Sequence, residues 1–145
     1  MAYSPLSIPL EPLTLSPLVA VHLTAALGAL AIGPVALWVP KGGHAHRAAG
    51  YAWVTLMVIT AISSFFIRDT RLPNWQGFTP IHGLILVVFI SLFVGLRQML
   101  KGNIQAHSKT MRGAYIGSCL IAGAFTLLPG RYLGQLVWHQ WLGWL

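Results

Sequence analysis

Carboxylates are almost absent from this chain: among its 145 residues only Glu11 and Asp69 are acidic. Neither falls in an apolar run, so acid/base catalysis by paired carboxylates has no participants. Charged residues of all kinds make up 8% of the sequence, against roughly a quarter in ordinary soluble domains. Cysteine occurs once, as Cys119 inside an apolar run. That excludes a disulfide framework and a Cys-based metal motif, and leaves a small packing residue. No Gly-rich phosphate loop, nucleophile elbow or HExxH motif is present, and hydrolase and transferase readings fall away with them.

What is there is apolar. Hydrophobic residues reach 56% and the mean hydropathy is +0.70, which together read as a single-domain integral membrane protein. The net charge of +7 does not point to nucleic acid, because the basic residues are scattered over short turns rather than gathered in a stripe. They read as topology signals and contacts to anionic membrane lipids. The first seventeen residues lack a basic n-region and hold Pro5, Pro9, Pro12 and Pro17. They are expected to approach the membrane in an extended form rather than act as a cleavable signal, with a partner-binding arm as the alternative.

Four apolar runs have the ~20-residue length that crosses a bilayer: residues 17–39, 48–67, 81–100 and 111–128. Lys41-Gly42 and Lys101-Gly102 break the chain between the first two and the last two. The expected fold is therefore all-α, an integral membrane four-helix up-down bundle made of two tandem helical hairpins. The tail, 131–145, is too short to span. Its Trp138, Trp141 and Trp144 fall near one face of a short helix, which suits an interfacial position, or else a contact with a partner subunit or a second copy. Lysines and arginines concentrate at the two Lys-Gly turns, which places those turns in the cytoplasm and both termini outside, in a bacterial inner membrane.

The two halves repeat. Lys41-Gly42 recurs as Lys101-Gly102, His46 as His107 and His22 as His82, at intervals of sixty or sixty-one residues. On the four-helix reading, His22 and His82 lie near the outer ends of helices one and three, and His46 and His107 at the inner starts of helices two and four. Units pointing the same way are related by an axis along the membrane normal, so each pair shares a depth. Two imidazoles at one level, each on a rigid helix, are what a bis-histidine haem requires. Haem b, one or two copies, is thus the expected cofactor. Arg47 and Arg112 would pair with haem propionates at the inner site. The outer pair is the stronger expectation, since His22 sits more than a turn inside the membrane while His46 and His107 fall at the water boundary.

Other readings of the same residues stand beside this one. A histidine near a helix end can simply bond a turn carbonyl, the arginines can serve topology alone, and Gly28, Gly33, Gly83, Gly113 and Gly117 can serve helix packing rather than cofactor clearance. A proton relay is a further use for intramembrane histidines. His44 and His46 with His107 would make a three-histidine site for zinc or copper.

The motifs resemble those of a family of small bacterial membrane proteins, the domain-of-unknown-function family 2306. The likeness runs from His22 through Gly28 and Gly33-Pro34, Lys41-Gly42, His46-Arg47-x-x-Gly50 and Ser63-Ser64. It continues with Gly77-Phe78-x-x-Ile81-His82, His107-x-x-x-Met111-Arg112-x-x-Tyr115, and the closing Pro129-Gly130-Arg131. Ser108, rather than arginine, follows His107. The resemblance implies a four-helix bacterial membrane protein and brings no activity with it. The functional expectation is a b-type cytochrome-like protein that moves electrons across the membrane between a quinone or redox partner protein and an acceptor. The alternative is a non-catalytic membrane subunit or assembly factor with structural histidines and a docking tail.

Overall fold

The computed structural model describes residues 15–67, 80–129, 131–135, 137–138 and 142–143. The proline-rich arm, both acidic residues, Arg68, Arg71, Trp75, Trp141 and Trp144 lie outside them. Every regular element among the described residues is helical: α1 (Pro17–Trp38), α2 (His44–Phe66), α3 (Pro80–Leu100), α4 (Ile104–Ala114), a π-helical stretch (Tyr115–Ile121), α5 (Ala122–Thr126) and α6 (Tyr132–Gln135).

Three of these helices, α1, α2 and the His82–Leu100 part of α3, are long and apolar enough to cross a membrane. At 1.5 Å per residue, the 22 residues of α1 span roughly the ~30 Å hydrocarbon core. Only 17–22% of the residues in these spans are buried within the chain. Large apolar side chains such as Leu27, Leu86, Ile90 and Phe93 face outward, an arrangement that lipid tolerates and water does not. The buried stripe of α1 consists of Ala25, Ala29, Gly33 and Ala36. Small residues at this spacing let helix backbones approach closely, which is the main source of helix association in lipid.

α1 packs chiefly on α2 and α3 chiefly on α4, with α2 joining the two hairpins. Their shared core gathers Ala29, Trp53, Met57, Val88, Leu92, Met111 and Tyr115. Both Lys-Gly turns use glycine in the left-handed region, Gly42 at φ +82° and Gly102 at φ +74°. In the second turn the Gly102 amide donates to the Met99 carbonyl and the Asn103 amide to that of Gln98. This is a Schellman closure, and it leaves Asn103 to cap α4 through Ala106 N–H.

Two boundaries differ from expectation. α2 starts at His44 rather than 48, and α4 at Ile104 rather than 111. Both early turns are polar and lie outside the apolar runs; the Asn103 side chain caps α4, and α2 begins after Gly43 without a side-chain cap. The fourth segment is helical without a break from Ile104 to Thr126, with the π stretch in its middle. In the tail, Trp138 donates its indole N–H to the Leu127 carbonyl at 2.8 Å, so its polar end turns back onto the end of that segment.

Candidate functional site: a two-histidine pocket

The early start of α2 and α4 decides where the histidines lie. His46 and His107 both fall in the first turn of a helix, and each reaches back to a main-chain carbonyl of the helix before it. His46 Nδ1 donates to Ala36 O at 3.0 Å, and His107 Nδ1 donates to Gly95 O at 2.8 Å. The first bond has a clear cause. The amide that would donate to Ala36 O in the helix belongs to Pro40, which has no N–H. These bonds place the proton on Nδ1 and leave Nε2 as the lone-pair nitrogen in each ring.

The two rings meet edge to face, with centroids 6.4 Å apart and planes nearly perpendicular at 88°. His107 is buried, at 8% exposed, and His46 is half-buried. Both histidines line a cavity of about 270 Å³. Lys41 and Arg47 stand at the turn end of that cavity, Val54, Leu96, Met99 and Met111 form apolar walls, and Trp53 and Tyr115 lie deeper.

The deep end is tightly fitted. Pro34 removes the amide that would pair with Leu30 O, and the Tyr115 hydroxyl donates to that carbonyl instead, at 3.0 Å. A Cβ on Gly33 would overlap the Tyr115 ring and come within 3.1 Å of Trp53 Nε1. The Trp53 and Tyr115 rings pack 6.4 Å apart. Trp53 Nε1 is buried and has no hydrogen-bond partner. The Cys119 sulfur lies near the indole without making a hydrogen bond of proper geometry.

Of the other residues expected at a site, His44 is exposed and Arg112 is exposed, and neither lines this cavity. Among the described residues no three of His, Cys, Asp and Glu gather as a metal-binding group. The outer histidines are both held by α2. His22 Nδ1 lies 3.1 Å from Thr60 O and 3.1 Å from Ser63 Oγ, and the His82 ring packs edge-on against Phe65 at 5.7 Å. No ring contact joins His22 to His82 among the described residues. Trp53 was not singled out from the sequence, and Tyr115 entered only through the motif shared with the membrane-protein family. Their signal was present in the spacing, since His46, Gly50 and Trp53, like His107, Met111 and Tyr115, recur at helical intervals on one face.

No curated protein and no solved structure matches the chain. One family does, described as predicted membrane protein (DUF2306) and matched over residues 19–129. Three apolar helices of spanning length and a match over most of its length agree, and the chain belongs to this membrane-protein family.

Proposed function

We propose that the chain is a b-type cytochrome-like protein of the bacterial inner membrane, a four-helix up-down bundle in which His46 and His107 hold one haem. The observation that carries this reading is the close approach of two imidazoles from different hairpins, centroids 6.4 Å apart, each with Nδ1 fixed by a carbonyl. His46 and His107 would hold the iron through Nε2, the ring nitrogen that neither carbonyl occupies. The donor count supports the same choice. Two nitrogens are too few for a protein-built zinc or copper site, whereas a haem would bring most of its iron's donors with it.

The cavity fits the group in part. Its volume of about 270 Å³ is under the ~300–1,000 Å³ usual for ligand pockets and too small for a whole macrocycle, while its lining supplies both imidazoles, two cations and apolar walls. When bound, haem supplies one-electron transfer. The carbonyls of Ala36 and Gly95 hold the rings in one tautomer and orientation, Lys41 and Arg47 offer cations to propionates at the turn end, and the apolar walls keep water from the ring. The haem is assigned to this pair rather than to His22 and His82, whose rings each rest on α2. An absorption spectrum of the detergent-purified protein tests the assignment. Sharp α and β bands on dithionite reduction are expected, and their absence at full haem supply would contradict it.

One observation favours a second reading, a non-catalytic membrane subunit. His22, His46 and His107 all lie within hydrogen-bonding distance of a main-chain carbonyl on a neighbouring helix, which is what structural histidines do. The two readings separate on His107→Ala, which would lower thermal stability in both and abolish reduced bands only in the first.

A further inference from the structure

Behind the histidine pocket, two sulfurs from distant parts of the chain meet between α2 and the fourth helical segment. Cys119, in the π-helical stretch, points its S–H at Met57 Sδ of α2 over 3.7 Å. The two residues are 62 positions apart, so no cysteine motif announces the contact. Met57 is buried, and Cys119 is half-buried against the same core. Short π stretches inside α-helices are rare and recur at functional sites. Trp53 lies one turn before Met57 on the same face of α2. Its side chain is 4% exposed, and its unpartnered indole N–H lies beside the Cys119 sulfur without bonding it. The Ser118 hydroxyl, 4.0 Å from that sulfur, donates to the Ala114 carbonyl. Buried donors without an acceptor are rare in native proteins. A thiol is a weak acceptor and an ionised one a strong one, so this N–H gains its partner when the sulfur becomes a thiolate.

We propose that Met57 and Cys119 form a two-sulfur site for a soft monovalent cation, Cu(I), with the Trp53 N–H donating to the metal-bound sulfur. Thiolate and thioether donors select soft ions. Charge selects the oxidation state. In hydrocarbon a thiolate with a monovalent cation is neutral, whereas a divalent ion would leave a net charge, and neither helix carries an acidic side chain to offset it. The donor count agrees, because Cu(I) has a filled d shell and forms two-coordinate sulfur complexes, unlike divalent zinc or copper. At about 2.3 Å per metal–sulfur bond a linear bridge spans about 4.6 Å. The 3.7 Å contact reaches that span when the flexible, unbranched Met57 side chain gives way. Binding breaks the Cys119 S–H bond, forms the sulfur–copper bond and releases the proton to solvent, and no electron moves. The site is separate from His46 and His107 and does not rest on the haem reading.

The test is an anaerobic titration of the full-length, haem-free protein in detergent with Cu(I), in competition with a chromophoric Cu(I) chelator. Wild type is expected to take one Cu(I) from the chelator and to release one proton as it does so. Cys119→Ser is expected to lose that binding. Met57→Leu, a nearly volume-conserving change, and Trp53→Phe, which removes the N–H, are each expected to weaken it about tenfold or more. A wild type that takes no Cu(I), or binding that survives Cys119→Ser, would overturn the site. So would unchanged affinity in Met57→Leu or in Trp53→Phe, which would leave a reactive thiol only. Should a variant not fold, X-ray absorption at the copper edge of the loaded wild type decides. Sulfur neighbours alone are expected, and a shell of nitrogen would overturn the site by assigning the metal to histidines. Haem bands, present or absent, leave each of these outcomes unchanged.

Discussion

Pro34 and Pro40 each withhold an amide from α1, and the carbonyls they orphan, Leu30 O and Ala36 O, are taken up by Tyr115 and His46. In hydrocarbon an unpaired carbonyl has no water to turn to, so these side chains repair the helix while tying it to its neighbours. Tyr115→Phe is therefore expected to lower stability by about 1–3 kcal/mol, read as a drop in denaturation midpoint in detergent. Restoring the missing amide with Pro34→Ala should shrink that loss in a double-mutant cycle, and an unchanged loss would contradict the pairing. Gly33→Ala should destabilise by about 1–3 kcal/mol through overpacking, since the added methyl meets Tyr115 and Trp53. The prolines and glycines were plain in the sequence. Which carbonyls they expose, and which distant hydroxyl or imidazole answers, depends on how helices far apart in the chain pack, and no single-helix periodicity carries that.

The elements repeat as the spacing predicted, with a left-handed glycine after each lysine at the same place in both hairpins. Gly102→Ala should cost about 1–2 kcal/mol because a Cβ strains that backbone, whereas Ala in place of exposed Lys101 should change stability by under about 0.5 kcal/mol. Detergent unfolding midpoints check both. The ends of α1 and α3 were legible because Pro40 and the Lys-Gly pairs stop a helix chemically. The starts of α2 and α4 were not, because an apolar window closes where polar residues begin while the helix continues through them. Asn103 held the missing signal, as its side chain accepts the Ala106 amide. That shift of one or two turns is what carries the His107 ring into the protein. The π stretch from Tyr115 to Ile121 has no counterpart in the sequence pattern. It accompanies Ser118, whose hydroxyl donates to the Ala114 carbonyl, a bond that competes locally with regular helix.

On the scale of the whole molecule, composition alone identified a membrane protein, and the family match and the apolar helices agree with it. Its proposed orientation is open to direct measurement. In a Cys119→Ser background, single cysteines at Ala45 and Gln105 should react with an impermeant maleimide only after the membrane is opened, and one at Ser4 in intact spheroplasts. The reverse pattern would invert the topology. The sequence showed the repeat of the histidine pairs and ranked the outer pair first, on depth alone. The haem reading proposed above favours the inner pair instead, on the hydrogen bonds that fix each ring and the cavity that both line. The most direct test of the central claim is the reduced-minus-oxidised spectrum of wild type, His46→Ala, His107→Ala and His22→Ala, purified from haem-supplied cells. Sharp α and β bands should be present in the wild type and in His22→Ala and lost in both inner variants. Bands that survive loss of His46 or His107, or a featureless wild-type spectrum, would contradict the two-histidine haem site.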